Sequence, residues 1–158
     1  MSTEGFAVAV IREETDWRCS LLAEELVDDL DGVITALRRL SGSGAVFALV
    51  SVDEEFFVVV RPVPGGAALM LSDATAALDY DIAADILELL QVPIPDEDDV
   101  DDDPWPEGDL TLLADLGVPE EQMQIIVDQA ELYPDEQLEM IAAACGFADQ
   151  FAAVIEKL

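Results

Sequence analysis

The chain has 158 residues, of which 52% are hydrophobic, and its 36 acidic residues against 6 basic ones give a formal net charge of −30 at pH 7. The apolar content excludes disorder throughout the chain, because disordered chains are poor in branched aliphatic residues. The scarcity of Lys and Arg excludes a surface that neutralises phosphates, so we expect no direct binding of nucleic acid or of an anionic membrane.

The charges divide the chain into three regions. Residues 1–95 carry 17 acids and 5 bases, residues 96–109 carry 9 acids and no base, and residues 110–158 carry 10 acids and 1 base. The middle region contains two prolines within a run of carboxylates, which repels itself into an extended, solvated segment. We therefore predict a sheet domain over 1–95, an acidic linker over 96–109 and a helical domain over 110–158.

The first region contains mostly strand patterns. Short apolar and β-branched runs predict five strands, over residues 6–12, 17–22, 46–52, 56–60 and 67–71. Apolar residues at spacings of three and four predict helices over 23–40, with a break at Gly32, and over 82–90. Ser72 or Asp73 is the candidate cap before the second helix.

The order ββαβββα is typical of an α+β fold with one antiparallel sheet, because the short connections require antiparallel neighbours. Roadblock-like and profilin-like modules have this kind of architecture, although such an analogy carries no function. The last region is predicted to be all helical, with segments over 110–116, 119–132, 135–145 and 147–158.

The chain lacks a basic segment at its start and any apolar run long enough to cross a membrane, so we expect a soluble, cytoplasmic protein. It has no His, so no Ser or Cys can belong to a nucleophilic triad. Cys19 and Cys145 are expected to be small buried hydrophobic residues. The acidic run lacks the Gly of a calcium loop, and we predict no metal and no cofactor.

The acidic run contains one candidate binding residue, Trp105, which stands between two prolines. An exposed Trp is costly, so Trp105 either docks on the chain's own sheet or anchors a partner, whereas Trp17 is expected in the core. The candidate partner-binding set consists of Trp105, Asp96, Glu97, Asp98, Asp99, Asp101, Asp102 and Asp103. Arg38, Arg39 and Arg61 are expected to form bidentate pairs with carboxylates.

Four stretches carry a family resemblance. They are FFVVVRP at 56–62, LSDAT at 71–75, DLG at 115–117 and GF at 146–147. In their order and spacing they resemble the tRNA adenosine deaminase-associated proteins of actinobacteria, and the likeness spans most of the chain. The resemblance implies an accessory protein of the deaminase that converts adenosine to inosine in tRNA, and it implies no catalytic residues. The residues agree, because the chain lacks the His and paired Cys that a zinc deaminase needs.

Three functions follow from these features. The first is a non-catalytic interaction protein that binds a basic partner, with the deaminase as a candidate, through its acidic surface. The second is a mimic of nucleic acid that occupies the RNA-binding or DNA-binding groove of another protein and inhibits it. The third is a hydrolase that works through carboxylates or a divalent metal. A charge that serves only solubility is a further alternative.

Overall fold

Six antiparallel strands form one sheet at the centre of the fold. The computed structural model describes residues 5–14, 16–40, 44–99, 105–129 and 131–157. The strands are β1 (Gly5–Glu13), β2 (Asp16–Leu21), β3 (Val46–Val52), β4 (Phe56–Val63), β5 (Gly66–Leu71) and β6 (Glu107–Gly108). Their order in the sheet is β2-β1-β3-β4-β5-β6. The predicted α+β class with an antiparallel sheet is confirmed, and β6 is a strand that the sequence did not predict.

Helices from the first part of the chain cover one face of this sheet. They are α1 (Leu30–Arg39) and α2 (Asp81–Leu90), each preceded by a 3-10 helix, at Glu24–Asp28 and Ala74–Leu78. Ala9, Val50 and Val58 of the sheet pack in one hydrophobic cluster with Val33 of α1 and Ile86 of α2. This cluster is buried because α1 and α2 place their apolar faces on the sheet.

The last part of the chain covers the opposite face. Its helices are α3 (Glu120–Val127), α4 (Pro134–Cys145) and α5 (Ala148–Ile155). Val8, Phe47 and Val59 of the sheet share a second hydrophobic cluster with Ile141 of α4 and Phe151 of α5. Because neighbouring residues of a strand point to opposite faces, β1, β3 and β4 are buried on both faces.

The helix predicted over 23–40 is divided at a different residue. The structure separates the 3-10 helix from α1 at Asp29, whose backbone is extended, and not at Gly32. The Asp29 side chain accepts a hydrogen bond from the Gly32 amide at 3.0 Å, which makes Asp29 the N-cap of α1. Gly32 therefore lies within the first turn of α1, and the prediction of a break there is wrong.

The helix predicted over 110–116 is also wrong. These residues form turns that end in a short 3-10 helix at Ala114–Leu116. Gly117 follows with a φ of 123°, and a Cβ at this position would lie 2.7 Å from the carbonyl oxygen of Ala144. The segment is thus too short for a stable α-helix and stops where its backbone approaches α4.

The division into domains at 96–109 stays a prediction, as does the likeness to roadblock-like or profilin-like modules. The structure shows that part of this segment pairs with the sheet, because β6 lies beside β5. A 3-10 helix occupies Glu97–Asp99. Within the described ranges, no helix has the length and apolarity that crossing a membrane would require.

Replacing Phe147 tests how much the packing of residues 110–158 on the sheet contributes to the free energy of unfolding. The buried Phe147 ring packs against Trp17 of β2, with ring centroids 4.9 Å apart, and against Phe47 of β3 at 5.9 Å. We expect Phe147→Ala to lower the free energy of unfolding by about 3 to 5 kcal/mol, measured by urea denaturation. Leu89→Ala, at an exposed site on α2, should change it by less than about 0.5 kcal/mol.

Both variants should unfold in one transition when circular dichroism and Trp fluorescence are followed together. Two separate transitions would show that the helices unfold independently of the sheet.

Candidate partner-binding site

The two ends of the sheet differ in charge. β1 and β4 begin at the end where β2, β3 and β5 finish, and the β3–β4 turn lies there. We call this the acidic end, because seven carboxylates line its clefts and turn. They are Glu24, Asp53, Glu54, Glu55, Asp73, Asp79 and Asp135. These residues are far apart in sequence, and the antiparallel topology brings them together.

All five arginines lie towards the opposite end, which we call the arginine end. Arg12 and Arg18 flank the β1–β2 turn, and Arg61 lies near the β4–β5 turn. Arg38, next to Arg39 in the last turn of α1, donates a hydrogen bond to the carbonyl oxygen of Gly66 in that same region. The remaining cation, Lys157, is exposed and comes two residues after Ile155 at the acidic end.

Arg61 forms the bidentate pair that its sequence position predicts. Its Nη1 and Nη2 lie 2.7 Å and 3.0 Å from the two carboxylate oxygens of Asp115, and Nη1 also donates to the carbonyl oxygen of Leu112. The pair ties β4 to the segment that precedes α3. The expectation fails for Arg38, whose partner among the described residues is a backbone carbonyl rather than a carboxylate.

The β3–β4 turn presents its carboxylates on a strained backbone. Asp53 and Glu54 have φ values of 50° and 58°, in the left-handed region that Gly and Asn usually occupy in such hairpins. This conformation costs an L-residue about 1 kcal/mol. Asp53 is held in place because its Oδ2 accepts a hydrogen bond from the Tyr80 hydroxyl at 2.8 Å. The turn thus has acidic residues at two positions where Gly would adopt the same backbone conformation without strain.

The Tyr80 hydroxyl is partly buried beside the carboxylates of the acidic end. Burial, the hydrogen bond to Asp53, and then the charges of Asp53, Glu55 and Asp79 raise the pKa of Tyr80 to about 12. Tyr80 lines a cleft of about 270 Å³ together with Leu78 and three of the carboxylates. Ionisation is disfavoured there because burial penalises the charged phenolate and because a second negative charge would face the existing ones.

Trp105 lies next to this cleft. Its carbonyl oxygen accepts a hydrogen bond from the Ala74 amide at 2.7 Å, and its indole nitrogen donates to Glu107 at 3.2 Å. The backbone of Trp105 is therefore docked on the 3-10 helix that begins beside Asp73. The side chain is still 40% exposed, so the indole retains a surface that a partner could cover.

The structure describes only some of the other members of the candidate set. Asp96, Glu97 and Asp98 are exposed, and Asp99 ends the 3-10 helix at Glu97–Asp99. Asp101, Asp102 and Asp103 lie outside the described residues. The binding role of this set stays a prediction. The clefts were not predicted from the sequence, although the alternating direction of the predicted antiparallel strands already places residues 53–55, 72–73 and the start of β1 at one end of the sheet.

The side chains of the two cysteines and of Ser72 make contacts within the fold. Both cysteines are half-buried against the cluster under α4 and α5. Burial raises the pKa of Cys19 to about 12 and that of Cys145 to about 11, which leaves both thiols protonated and weakly nucleophilic. The Ser72 hydroxyl accepts a hydrogen bond from the amide of Phe57. Within the described residues, no group of three His, Cys, Asp or Glu could hold a metal ion.

Comparison with known proteins supports the family resemblance. The model of a family described as Rv3753c-like tRNA adenosine deaminase-associated protein matches residues 5–148. Protein Rv3753c of Mycobacterium tuberculosis is 55% identical over 155 residues, which cover 98% of this chain and 90% of that protein. No solved structure matches the chain.

The Arg61–Asp115 pair predicts a dependence of stability on pH. The hydrogen bond from Arg61 lowers the pKa of Asp115 below its ordinary value of 3.8, so the pair stabilises the folded state at neutral pH. This stabilisation is lost as the pH falls through the lowered value. Because Asp115 is largely exposed, we expect Asp115→Asn to cost only about 1 kcal/mol at pH 7.

Thermal unfolding at a series of pH values measures this cost, and Glu139→Gln, at an exposed site on α4, is the control. The gap between Asp115→Asn and the unmodified protein should close in strong acid. An equal gap at every pH would contradict the ionic origin of the stabilisation.

Proposed function

Because the chain belongs to the Rv3753c-like tRNA adenosine deaminase-associated protein family, we propose that it is a non-catalytic accessory protein that binds a basic protein partner. The first candidate for the partner is a tRNA adenosine deaminase. The observation that carries the proposal is the separation of charge between the two ends of the sheet. The acidic end is the surface that we assign to the partner.

The distribution of ion pairs supports this assignment. Among the residues that the structure describes, the two ion pairs are Arg18–Glu13 and Arg61–Asp115, both towards the arginine end. Within the described part of the chain, Glu54, Glu55 and Asp79 of the acidic end have no cationic partner, so they remain available to an incoming cation. Such a field accelerates association with a basic surface and rejects acidic ones.

Apolar side chains beside the carboxylates supply the second element of a binding surface. Leu78 is exposed in the cleft that Tyr80 lines, and the half-exposed indole of Trp105 lies beside its rim. Aromatic residues near the centre of an interface contribute much of its binding energy, whereas charges at the rim act mainly on association rates. The acidic end combines both kinds of contact.

Catalysis is assigned to the partner because of the chain's own composition. Hydrolytic deamination of adenosine requires His or Cys ligands for zinc and a neighbouring general acid–base Glu. The chain has no His, and its two Cys stand 126 positions apart, at 19 and 145. An effect on tRNA editing would therefore act through the deaminase.

Co-purification tests the proposal. The tagged protein should capture the deaminase of the same cell at physiological salt, and binding should weaken as salt is raised. The triple variant Glu54→Lys, Glu55→Lys, Asp79→Lys should abolish capture. A matched triple variant with the same charge change, Glu88→Lys, Glu121→Lys, Glu139→Lys, alters exposed sites on three helices and should retain capture. No capture by the unmodified protein, or equal loss in both variants, would refute the assignment.

A deamination assay separates the accessory role from mimicry of nucleic acid. An accessory protein should leave tRNA binding intact and leave the rate of inosine formation unchanged or raised. Loss of tRNA binding in proportion to the added protein would instead show that the acidic surface occupies the RNA groove of the deaminase.

A further inference from the structure

The sheet has a notch at the acidic end, where β1 extends beyond β2. β3 pairs with β1 from Gly5 onwards, but the pairing with β2 begins only at Val8. The Leu22 amide donates to the carbonyl oxygen of Ala7, after which the chain turns away. Among the described residues, Gly5 and Phe6 therefore have a strand neighbour on the β3 side only.

The backbone at this notch is suited to an added strand. The bond from Leu22 shows that Ala7 directs its backbone groups towards the β2 side. Residues two apart in a strand share an edge, so Gly5 lies on that same edge. A side chain at Gly5 would collide with the carbonyl oxygen of Ser51, and its φ of 129° also disfavours other residues. The position thus combines an open strand edge with a lack of side-chain obstruction.

The walls of the notch are apolar. Phe6, Leu21 and Leu22 line a cleft of about 350 Å³ together with Gly5 and Glu24. Leu21 is 46% exposed at the end of β2, which is a large exposure for a leucine in a strand. Pockets of this size accept apolar groups when a few polar groups fix their orientation.

Carboxylates surround the notch. Glu24 lies on its wall, and an adjoining cleft of about 290 Å³, which shares Gly5 and Phe6, adds Asp53, Glu54 and Asp135. All five arginines lie towards the other end of the sheet. An occupant of the notch must therefore offer apolar side chains together with positive charge.

We propose that the notch is the docking site for an extended segment of a protein partner that carries apolar residues flanked by Lys or Arg. The segment continues the line of β2 beside Gly5, inserts an apolar side chain between Phe6 and Leu21, and places its cations against Glu24 and the adjoining carboxylates. This is strand addition at a sheet edge, in which backbone bonds give affinity and the pocket gives specificity. The inference rests on the proposed function, because it identifies where the basic partner engages.

A second copy of this chain is a weaker candidate for the notch. Two copies repel each other through net charges of −30, and pairing between two acidic ends would bring carboxylates together. Sedimentation over a range of concentrations should accordingly show a monomer. A concentration-dependent oligomer that Leu21→Asp abolishes would overturn the proposal, because the notch would then belong to self-association.

Synthetic peptides test the notch without the deaminase. A short fluorescent peptide of alternating Leu and Lys should bind at physiological salt and should shift the amide NMR signals of Gly5, Phe6, Leu21 and Glu24. Leu21→Asp and Glu24→Lys should each weaken binding about tenfold or more, as expected for a central contact of an interface. Leu89→Asp is the control at another exposed leucine, on α2, and its affinity should match that of the unmodified protein.

Several results would overturn the proposal that the notch is a docking site. A peptide of alternating Gly and Lys that binds as tightly would show that charge alone suffices, and binding of alternating Leu and Glu would show that charge is irrelevant. Signal shifts at Trp105 instead of Gly5 would place the segment elsewhere. If the unmodified protein captures the deaminase and Leu21→Asp captures it equally well, the accessory role is supported and the assignment of the docking site to the notch is refuted.

Discussion

The central strands are apolar on both faces, and the rest of the fold depends on this constraint. β1 sends Ala7 and Ala9 into the cluster under α1 and α2, while Val8 and Val10 enter the cluster under α4 and α5. An antiparallel sheet can leave one face in water only if that face is polar. Here neither face is polar, so two helical layers are required. The first 95 residues supply one layer, and the helices of residues 110–158 supply the other.

The two helical layers also determine where the charge can lie. Among the described residues, the carboxylates lie outside the two hydrophobic clusters, and their density at the surface has an energetic cost. Burial, followed by the charges of Asp81 and Glu88, raises the pKa of Asp85 on α2. The arginines relieve such repulsion towards one end of the sheet, where Arg61 pairs with Asp115. The opposite end keeps its negative field, which is why we propose it as the face for a cationic partner.

Much of the fold follows from local sequence patterns, and the remainder from long-range packing. The run at Val46–Val52 predicts β3 with its observed bounds, because β-branched and apolar residues alone specify it. The same run is apolar at successive positions, which indicates burial on both faces and could have predicted the second helical layer. β6 could not be predicted, since Glu107 and Gly108 have no strand pattern and pair only because β5 offers an edge. The acidic end could be predicted only from the sheet topology, because its carboxylates are as far apart in sequence as Glu24 and Asp135.

Most of the stretches that carry the family resemblance form contacts between residues 110–158 and the sheet. FFVVVRP and DLG meet in the Arg61–Asp115 pair, and GF places Phe147 against Trp17. FFVVVRP begins at the acidic end and LSDAT finishes there, where Asp73 accepts hydrogen bonds from Thr75 and caps the 3-10 helix. These stretches therefore explain how the fold is maintained, and they leave the turn at Asp53 and Glu54 unexplained. Positive φ at both central residues follows from the tight β-turn that the hydrogen bond from the Glu55 amide to the Val52 carbonyl oxygen closes, and what the turn leaves open is why both positions carry an acid.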